Sequence, residues 1–307
     1  MFYFDLRHNR KQSSKSSFNG YCYITRTKHF KLNKIELNEE VEFVCSGNMP
    51  KWAEYKPDRF WIAADKYEKN NSRTSSHITI ALPKELNSEQ RIELSKSLIN
   101  AFCEEFKFPY SCAIHNHKGV LDGENDQPHL HLQYSERTTL DDFERPPELF
   151  FRQYRPKNPE RGGAQKITAD VLGLGRHQIR HMRQLTEKLI NESLELYAPM
   201  KTVRIYDIEL QVPNRVSCLS NEDYNAKFGT KLKDTPQIPH WKLYSSDPID
   251  QLDIKPLIEK VKTIRQENLY ELYKDEYELE LQRMHTMKAE INKVKVKNHD
   301  ADCGMSM

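Results

Sequence analysis

The chain has 307 residues, with 47 Lys+Arg against 45 Asp+Glu, 30% charged residues and only ten Gly. This length supports one large domain or two smaller ones with a real core, and a mean hydropathy of -0.83, with no run near the roughly eighteen apolar residues of a membrane span, excludes membrane-inserted and collagen-like classes. The net charge of +2 is unevenly spread: residues 1–34 hold eight Lys/Arg against one acid and residues 151–185 hold eight against two, so two basic segments stand against an acidic remainder, the pattern of a polyanion-binding surface.

In chain order, Met1-Phe2-Tyr3-Phe4-Asp5 meets an acid at once and lacks the basic-then-apolar order of a secretory signal, so a cytoplasmic protein is expected. The six cysteines are scattered, without a C-x-x-C pair or a disulfide framework. Phe2 to Leu6 reads as a short strand, and Ser16 to Arg26 as either a short helix or an extended piece. An irregular stretch runs to Pro50, and Pro57-Asp58 opens a helix through Tyr67. His77 to Leu82 is β-branched and bounded by Pro83, a strand. Asn87 or Ser88 caps a helix whose Leu94, Leu98, Phe102 and Phe106 recur every four residues. Tyr110 to His115 and His129 to Ser135 read as two paired strands across a polar, turn-rich segment. This order predicts an α+β fold with a central antiparallel sheet and flanking helices.

From Glu148 to Lys166 the chain is basic, aromatic and broken by Pro156, Pro159 and Gly162-Gly163; a helix from Gln178 places Met182, Leu185, Leu189 and Leu196 on its apolar side. After Pro199 the character changes. Val203 to Val212 is a candidate strand, the next forty or so residues are polar loop, and Asp253 to Lys297 carries Tyr277, Leu281, Met284, Ile291 and Val294 at helical spacing. That helical part packs either on its own chain or against another.

Gln127-Pro128-His129-Leu130-His131-Leu132 is the most informative stretch. Strand side chains alternate, so His129 and His131 share one face while Leu130 and Leu132 take the other. His115 ends the partner strand and arrives beside them, with His117 on the same face as His115. Three neutral imidazoles leave a divalent metal with open positions, as in a catalytic site. Beside a polyanion such a metal polarises a phosphoryl oxygen, with water or a side chain as nucleophile. Tyr21 and Tyr23 lie in the first basic segment, followed by Arg26 and Lys28, cations suited to a phenolate or a phosphate.

Ala113-Ile114-His115, the Pro128-His129-Leu130-His131 run followed by Ser135-Glu136-Arg137, Phe150-Phe151-Arg152 and Asn158-Pro159-Glu160-Arg161-Gly162-Gly163-Ala164-Gln165-Lys166 together resemble the MobA/MobL plasmid mobilization relaxases, of the HUH class of single-strand DNA endonucleases. Met49-Pro50, Trp61-Ile62-Ala63-Ala64-Asp65 and Ala81-Leu82-Pro83 fit the same pattern in the same order. The resemblance covers about residues 1–200, read as a nicking domain, and leaves 201–307 as a C-terminal extension of loop and charged helix.

The resemblance implies a central sheet bearing three histidines, here His115, His129 and His131, that bind Mg or Mn, and an N-terminal tyrosine nucleophile. Tyr23, in Tyr23-Ile24-Thr25-Arg26, matches the family element, with Tyr21 as second choice. Such an enzyme cleaves one strand at a transfer origin in the bacterial cytoplasm, stays joined to the 5′ phosphate through the tyrosine, and rejoins the ends after transfer. Single-stranded origin DNA is then the partner, along with accessory mobilization proteins and coupling or secretion machinery. Arg26, Lys28, Arg152, Lys157, Arg161 and Lys166 are the candidate DNA contacts. Glu124, Asp126 and Glu136 are candidates to orient the histidines, and His77 to join them. Three other readings stay open: a replication initiator or transposase of the same chemistry, a phosphoesterase using water, and a non-catalytic single-strand DNA-binding protein with structural histidines.

Overall fold

The computed structural model describes residues 2–11, 16–31, 39–119, 126–243, 245 and 247–303. The chain divides into two compact units, residues 1–199 with 215–218, and residues 200–214 with 219–307.

The first unit is built on a five-stranded sheet of β1 (Phe4–Arg10), β2 (Glu40–Gly47), β3 (Arg73–Ala81), β4 (Tyr110–Asn116) and β5 (His129–Tyr134). The strand order is β1-β3-β5-β4-β2, and every neighbouring pair is antiparallel. Thus the expected α+β fold with a central antiparallel sheet is what forms, and the strand carrying the histidine pair is its middle strand. Alternation along β3, β4 and β5 puts Ile78, Ile80, Cys112, Ile114, Leu130 and Leu132 on one face. Two helices cover that face. One is α3 (Ser88–Ile99), closed at its start by a capping box between Asn87 and Gln90. The other is α5 (Gln178–Tyr197), which buries Met182, Thr186, Ile190 and Leu194.

Two apolar stripes differ from expectation in instructive ways. A four-residue repeat drifts about 40° per step on a 3.6-residue helix, and the chain offsets this by widening into a π turn at Asn100–Glu104, which keeps Phe102 in the core. On α5, Leu196 is exposed and Leu194 is buried instead. The edge strand β2 falls in the stretch expected to be irregular. Its residues are mostly half-exposed, and a bulge between Val41 and Phe43 breaks the alternation that marks a strand.

The polar face of the sheet is covered by α1 (Ser17–Ile24) and α2 (Pro57–Tyr67). The Asp65 carboxylate of α2 accepts from Ser17 N and Phe18 N, both at 2.9 Å, and from Ser16 Oγ at 2.7 Å, so it satisfies the open donors of α1's first turn. Trp61 Nε1 donates to Ser111 Oγ on β4 at 3.0 Å. A short α4 (Pro147–Phe150) packs its Phe150 with Phe60 and Trp61 of α2.

The second unit contains a hairpin of β6 (Met200–Ile205) and β7 (Ile208–Pro213), turning at Tyr206, where φ is 51°. The single strand expected over Val203 to Val212 is therefore two, folded at a two-residue turn. Helices α6 (Asn221–Phe228), α7 (His240–Leu243), α8 (Pro248–Leu272) and α9 (Lys274–Cys303) follow. Tyr270 and Tyr273 of α8 and its neighbours, with Tyr277, Leu281 and Met284 of α9, pack against the hairpin, while Ile291 is exposed.

Candidate functional site

The register of β4 and β5 sets His115 directly opposite His129. The rings of His115 and His129 each lie with centroids 4.7 Å from that of His131, and one ligand nitrogen from each histidine falls within 4.8 Å of the others. Hydrogen bonds orient each ring. His129 Nδ1 donates to Gln127 O at 2.9 Å, and His115 Nε2 donates to Ile24 O at 2.6 Å; a carbonyl only accepts, which assigns the tautomers. His131 Nδ1 lies 3.3 Å from both Thr79 Oγ1 and His77 Nε2.

His115 Nδ1 and His131 Nε2 are left buried without a hydrogen-bond partner. An orphaned buried nitrogen costs free energy, and two of them in one three-histidine cluster fit a bound divalent metal. Burial pushes all three imidazoles below their ordinary value, His115 to about 4 and His131 well below. They are therefore neutral in the physiological range, the form in which a lone pair is available to a cation.

Tyr23 sits in the last turn of α1. Its ring centroid is 5.6 Å from that of His131 and 6.3 Å from that of His115. The sheet grips α1 closely: Gln133 Nε2 donates to Ser17 O at 2.9 Å, and a Cβ on Gly20 would lie 2.5 Å from Gln133 Oε1. Tyr21, two residues earlier, turns to the other side of the helix and packs with the Phe60 and Trp61 cluster. Burial and the charge of Asp58 raise its phenol's pKa.

Beside Tyr23 the chain enters a left-handed conformation at Arg26, φ 50°. The Arg26 guanidinium lies 4.2 Å from the Tyr23 ring centroid and binds both carboxylate oxygens of Glu39, at 2.5 and 2.8 Å. Glu39 Oε1 is in turn 3.4 Å from His115 Nδ1. Burial would raise the Glu39 carboxyl, but the hydrogen bonds from Arg26, together with the charge of Arg26 and the neighbouring imidazoles of His115 and His129, outweigh it and hold it below its ordinary value.

Of the acids expected at the histidines, the two that are described lie elsewhere. Asp126 is exposed and pairs with Lys118 at 2.6 Å, Glu136 is buried against Arg73 at 2.7 Å, and Glu124 lies outside the described residues. The carboxylate that does lie beside the histidines is Glu39, which is bound by Arg26 and makes no hydrogen bond to His115. Nothing in the sequence marked it, because it precedes an edge strand and belongs to no motif. His77 supports His131 without entering the three-histidine group, and His117, its ring 5.2 Å from that of His129, is also outside that group.

The basic residues separate by exposure. Lys28, Arg152, Lys157 and Arg161 are exposed. Arg26 and Lys166, expected as DNA contacts, are turned inward: Arg26 is 6% exposed, and Lys166 Nζ donates to Arg73 O at 2.6 Å and faces Glu68 at 3.8 Å. Burial also lowers the pKa of Lys166.

The Gly-Gly element owes its form to Arg137. That buried side chain is bidentate to Glu68, at 2.7 and 2.8 Å, and donates to the carbonyls of Phe150, Phe151, Arg152 and Ala164. The two ends of the segment are thereby drawn so close that a Cβ on Gly163 would lie 2.0 Å from Arg152 O. Gly162-Gly163-Ala164 thus shapes the segment, and Arg152, Lys157 and Arg161 project from it.

Against known proteins, the MobA/MobL family profile matches residues 23–205. A 43 kDa relaxation protein of Salmonella typhimurium is 40% identical over 151 residues, 49% of this chain and 39% of that protein. Mobilization protein A of Escherichia coli is 39% identical over 131 residues, 43% of this chain and 17% of that protein. The chain therefore spans about two fifths of the first relative's length and under one fifth of the second's. Among solved structures, one described as the molecular basis of vancomycin resistance transfer in Staphylococcus aureus aligns with a TM-score of 0.43 at 20% identity, covering 64% of this chain and 94% of its own. The conjugative relaxase TrwC in complex with oriT DNA, in a metal-bound structure, aligns with a TM-score of 0.38 at 9% identity, covering 86% and 98%.

Proposed function

Because this chain belongs to the MobA/MobL family, we propose that it is a relaxase, which nicks one DNA strand at a plasmid's origin of transfer and later rejoins it. The observation that carries the reading is the meeting of Tyr23 with the histidine cluster, ring to ring at 5.6 Å from His131. The phenolic oxygen of Tyr23 attacks the scissile phosphorus and gives up its proton. The bond from phosphorus to the 3′ oxygen breaks, and that oxygen takes a proton to leave as a hydroxyl. The 5′ phosphate remains esterified to Tyr23. Because one phosphodiester replaces another, the reverse attack by the 3′ hydroxyl rejoins the strand without a nucleotide cofactor.

His115, His129 and His131 would hold a divalent cation, Mg or Mn, which supplies Lewis-acid stabilisation of charge on a phosphoryl oxygen. The chain's own part is positional. Asp65 and Gln133 hold α1 on the sheet, so Tyr23 is placed before DNA arrives. Lys28, Arg152, Lys157 and Arg161 contact phosphates of the bound strand. Accessory mobilization proteins and the coupling and secretion machinery are the protein partners, and the bacterial cytoplasm is the place of action. No described helix is long and apolar enough to cross a membrane.

The test is covalent capture. The protein, Mn and a labelled single-stranded oligonucleotide bearing the origin of the encoding element should give a denaturant-resistant adduct that maps to Tyr23. The adduct should disappear in Tyr23→Phe and in EDTA. A full-strength adduct in Tyr23→Phe, or release of a nicked product with no covalent intermediate, refutes the mechanism. Binding that survives EDTA without any adduct points to the non-catalytic reading.

A further inference from the structure

We propose that Arg26 and Glu39 are positioning residues, a buried clamp that fixes the ring of Tyr23 beside the histidine cluster. The inference rests on the relaxase reading and deepens it.

Four contacts converge on Arg26. Its Nε and Nη2 bind the two oxygens of Glu39, at 2.5 and 2.8 Å, and its Nη1 donates to Tyr23 O at 2.7 Å. The fourth contact is the Tyr23 ring, whose centroid lies 4.2 Å from the guanidinium carbon. The bidentate bond fixes the plane of the guanidinium, and the guanidinium against the ring face fixes the ring. Glu39 Oε1 also lies 3.4 Å from His115 Nδ1, but that nitrogen carries the lone pair, so the carboxylate is held by Arg26 and not by the histidine. Both clamp residues are nearly closed to solvent, 6% and 4% exposed, so water does not compete for these contacts.

The backbone bears on the same conclusion. Arg26 has φ 50°, a left-handed conformation that L residues with a branched or long side chain seldom adopt. Here it follows the C-cap of α1 and folds the side chain back over the ring three residues earlier. Strain of this kind persists only where surrounding contacts over-determine it, and it concentrates at functional sites. A buried ion pair adds little net stability over apolar residues of the same volume, whereas it does fix orientation. Lysine has neither the planar fork nor the stacking face of arginine.

The variants are Arg26→Lys, Glu39→Gln and their combination, each compared with wild type in the full chain by thermal unfolding, by rate of adduct formation and by fluorine resonance. For the last, the protein is labelled with 3-fluorotyrosine, and the Tyr23 signal is assigned as the one lost in Tyr23→Phe. Each single variant should fold, slow adduct formation on the origin oligonucleotide with Mn by about 10- to 100-fold, and shift or broaden the Tyr23 resonance. Since the two residues act as one device, the combined loss should match the larger single loss and not their product. A wild-type rate in either folded variant, or losses that multiply, overturns the proposal. Should Glu39→Gln fail to fold, Arg26→Lys and Arg26→Gln carry the same comparison. If the wild-type protein forms no adduct, it is the relaxase reading that fails. The clamp is then judged on the resonance alone, and an unmoved Tyr23 signal in the variants refutes it.

Discussion

Replacing Glu68 by Gln removes one charge from a pair in which both residues are almost fully buried, Glu68 at 2% and Arg137 at 3% exposure. Breaking a buried pair from one side costs about 3–5 kcal/mol, because it strands the other charge. Arg137 keeps four carbonyl partners, at 3.3, 2.7, 2.9 and 2.8 Å, which partly solvate it. The lower end, about 3 kcal/mol, is therefore expected. For a unit of this size each kcal/mol lowers Tm by about 2–4 °C, giving a fall of about 6–12 °C.

The companion variant separates a simple ion pair from a hub. Where a buried pair is only a pair, replacing both partners by apolar residues is often neutral or stabilising. Here the double change Arg137→Met with Glu68→Leu also strips the donor from the carbonyls of Phe151, Arg152 and Ala164, while Phe150 O keeps Ala164 N at 2.9 Å. At about 1 kcal/mol each it should stay about 3 kcal/mol below wild type. Thermal unfolding followed by circular dichroism reads both variants. A double variant as stable as wild type would mean that Arg137 serves Glu68 alone, and the account of the Gly-Gly segment would fall with it.

Two further expectations concern the same unit. Gly163→Ala should destabilise by about 1–3 kcal/mol, since the added Cβ meets the backbone of Arg152, which has no side-chain freedom to yield; a Tm within 2 °C of wild type, about the scatter of such measurements, contradicts the close approach. Glu136 has its pKa raised above 4.5, chiefly by burial, and its Oε2 has no partner. A carboxyl raised on folding is a burden when ionised, so the burden is present above the folded pKa and is relieved as pH falls through it toward 4.5. Glu136→Gln should therefore match or exceed wild-type stability near pH 7.5, with the gap closing on acidification, and a gap that widens as pH falls reverses the sign of the argument.

The histidine hairpin was legible because β5 is a central strand with one apolar and one polar face, and strict alternation over four residues leaves a single way to orient His129 and His131. The strand β2 was not, since an edge strand needs little apolar periodicity to pair on one side, and its bulge removes what periodicity there is. The undecided reading of Ser16 to Arg26 had a related cause. Eight residues are too few for helical propensity to decide, and α1 is fixed by tertiary contacts from Asp65 and Gln133 that lie far along the chain. Glu39 escaped for the opposite reason to the histidines. Its role depends on meeting Arg26 beside the histidine cluster, and no local pattern encodes that meeting.

Charge counting pointed to two basic segments, but a count does not distinguish a cation that faces solvent from one that faces a carboxylate. Among the six cations expected to touch DNA, Arg26 and Lys166 are engaged inside the fold, and Lys28, Arg152, Lys157 and Arg161 face outward. The two groups differ in counterion release. Each phosphate neutralised on a single strand contributes about 0.7 to the slope of log affinity against log salt, so the four outward cations should give a slope of about -2.8. Fluorescence anisotropy with a labelled oligonucleotide across a salt series measures it. Changing Arg152, Lys157 and Arg161 together to Gln should flatten the slope by about 2.1 with little loss of Tm, since exposed side chains contribute little to stability. Lys166→Gln should do the reverse, lowering Tm while leaving the slope in place, because its ammonium already neutralises charge within the fold. A slope that changes with Lys166 and is indifferent to Lys157 would mean that the inward cations turn outward when DNA binds, and the division by exposure would then describe only the free protein.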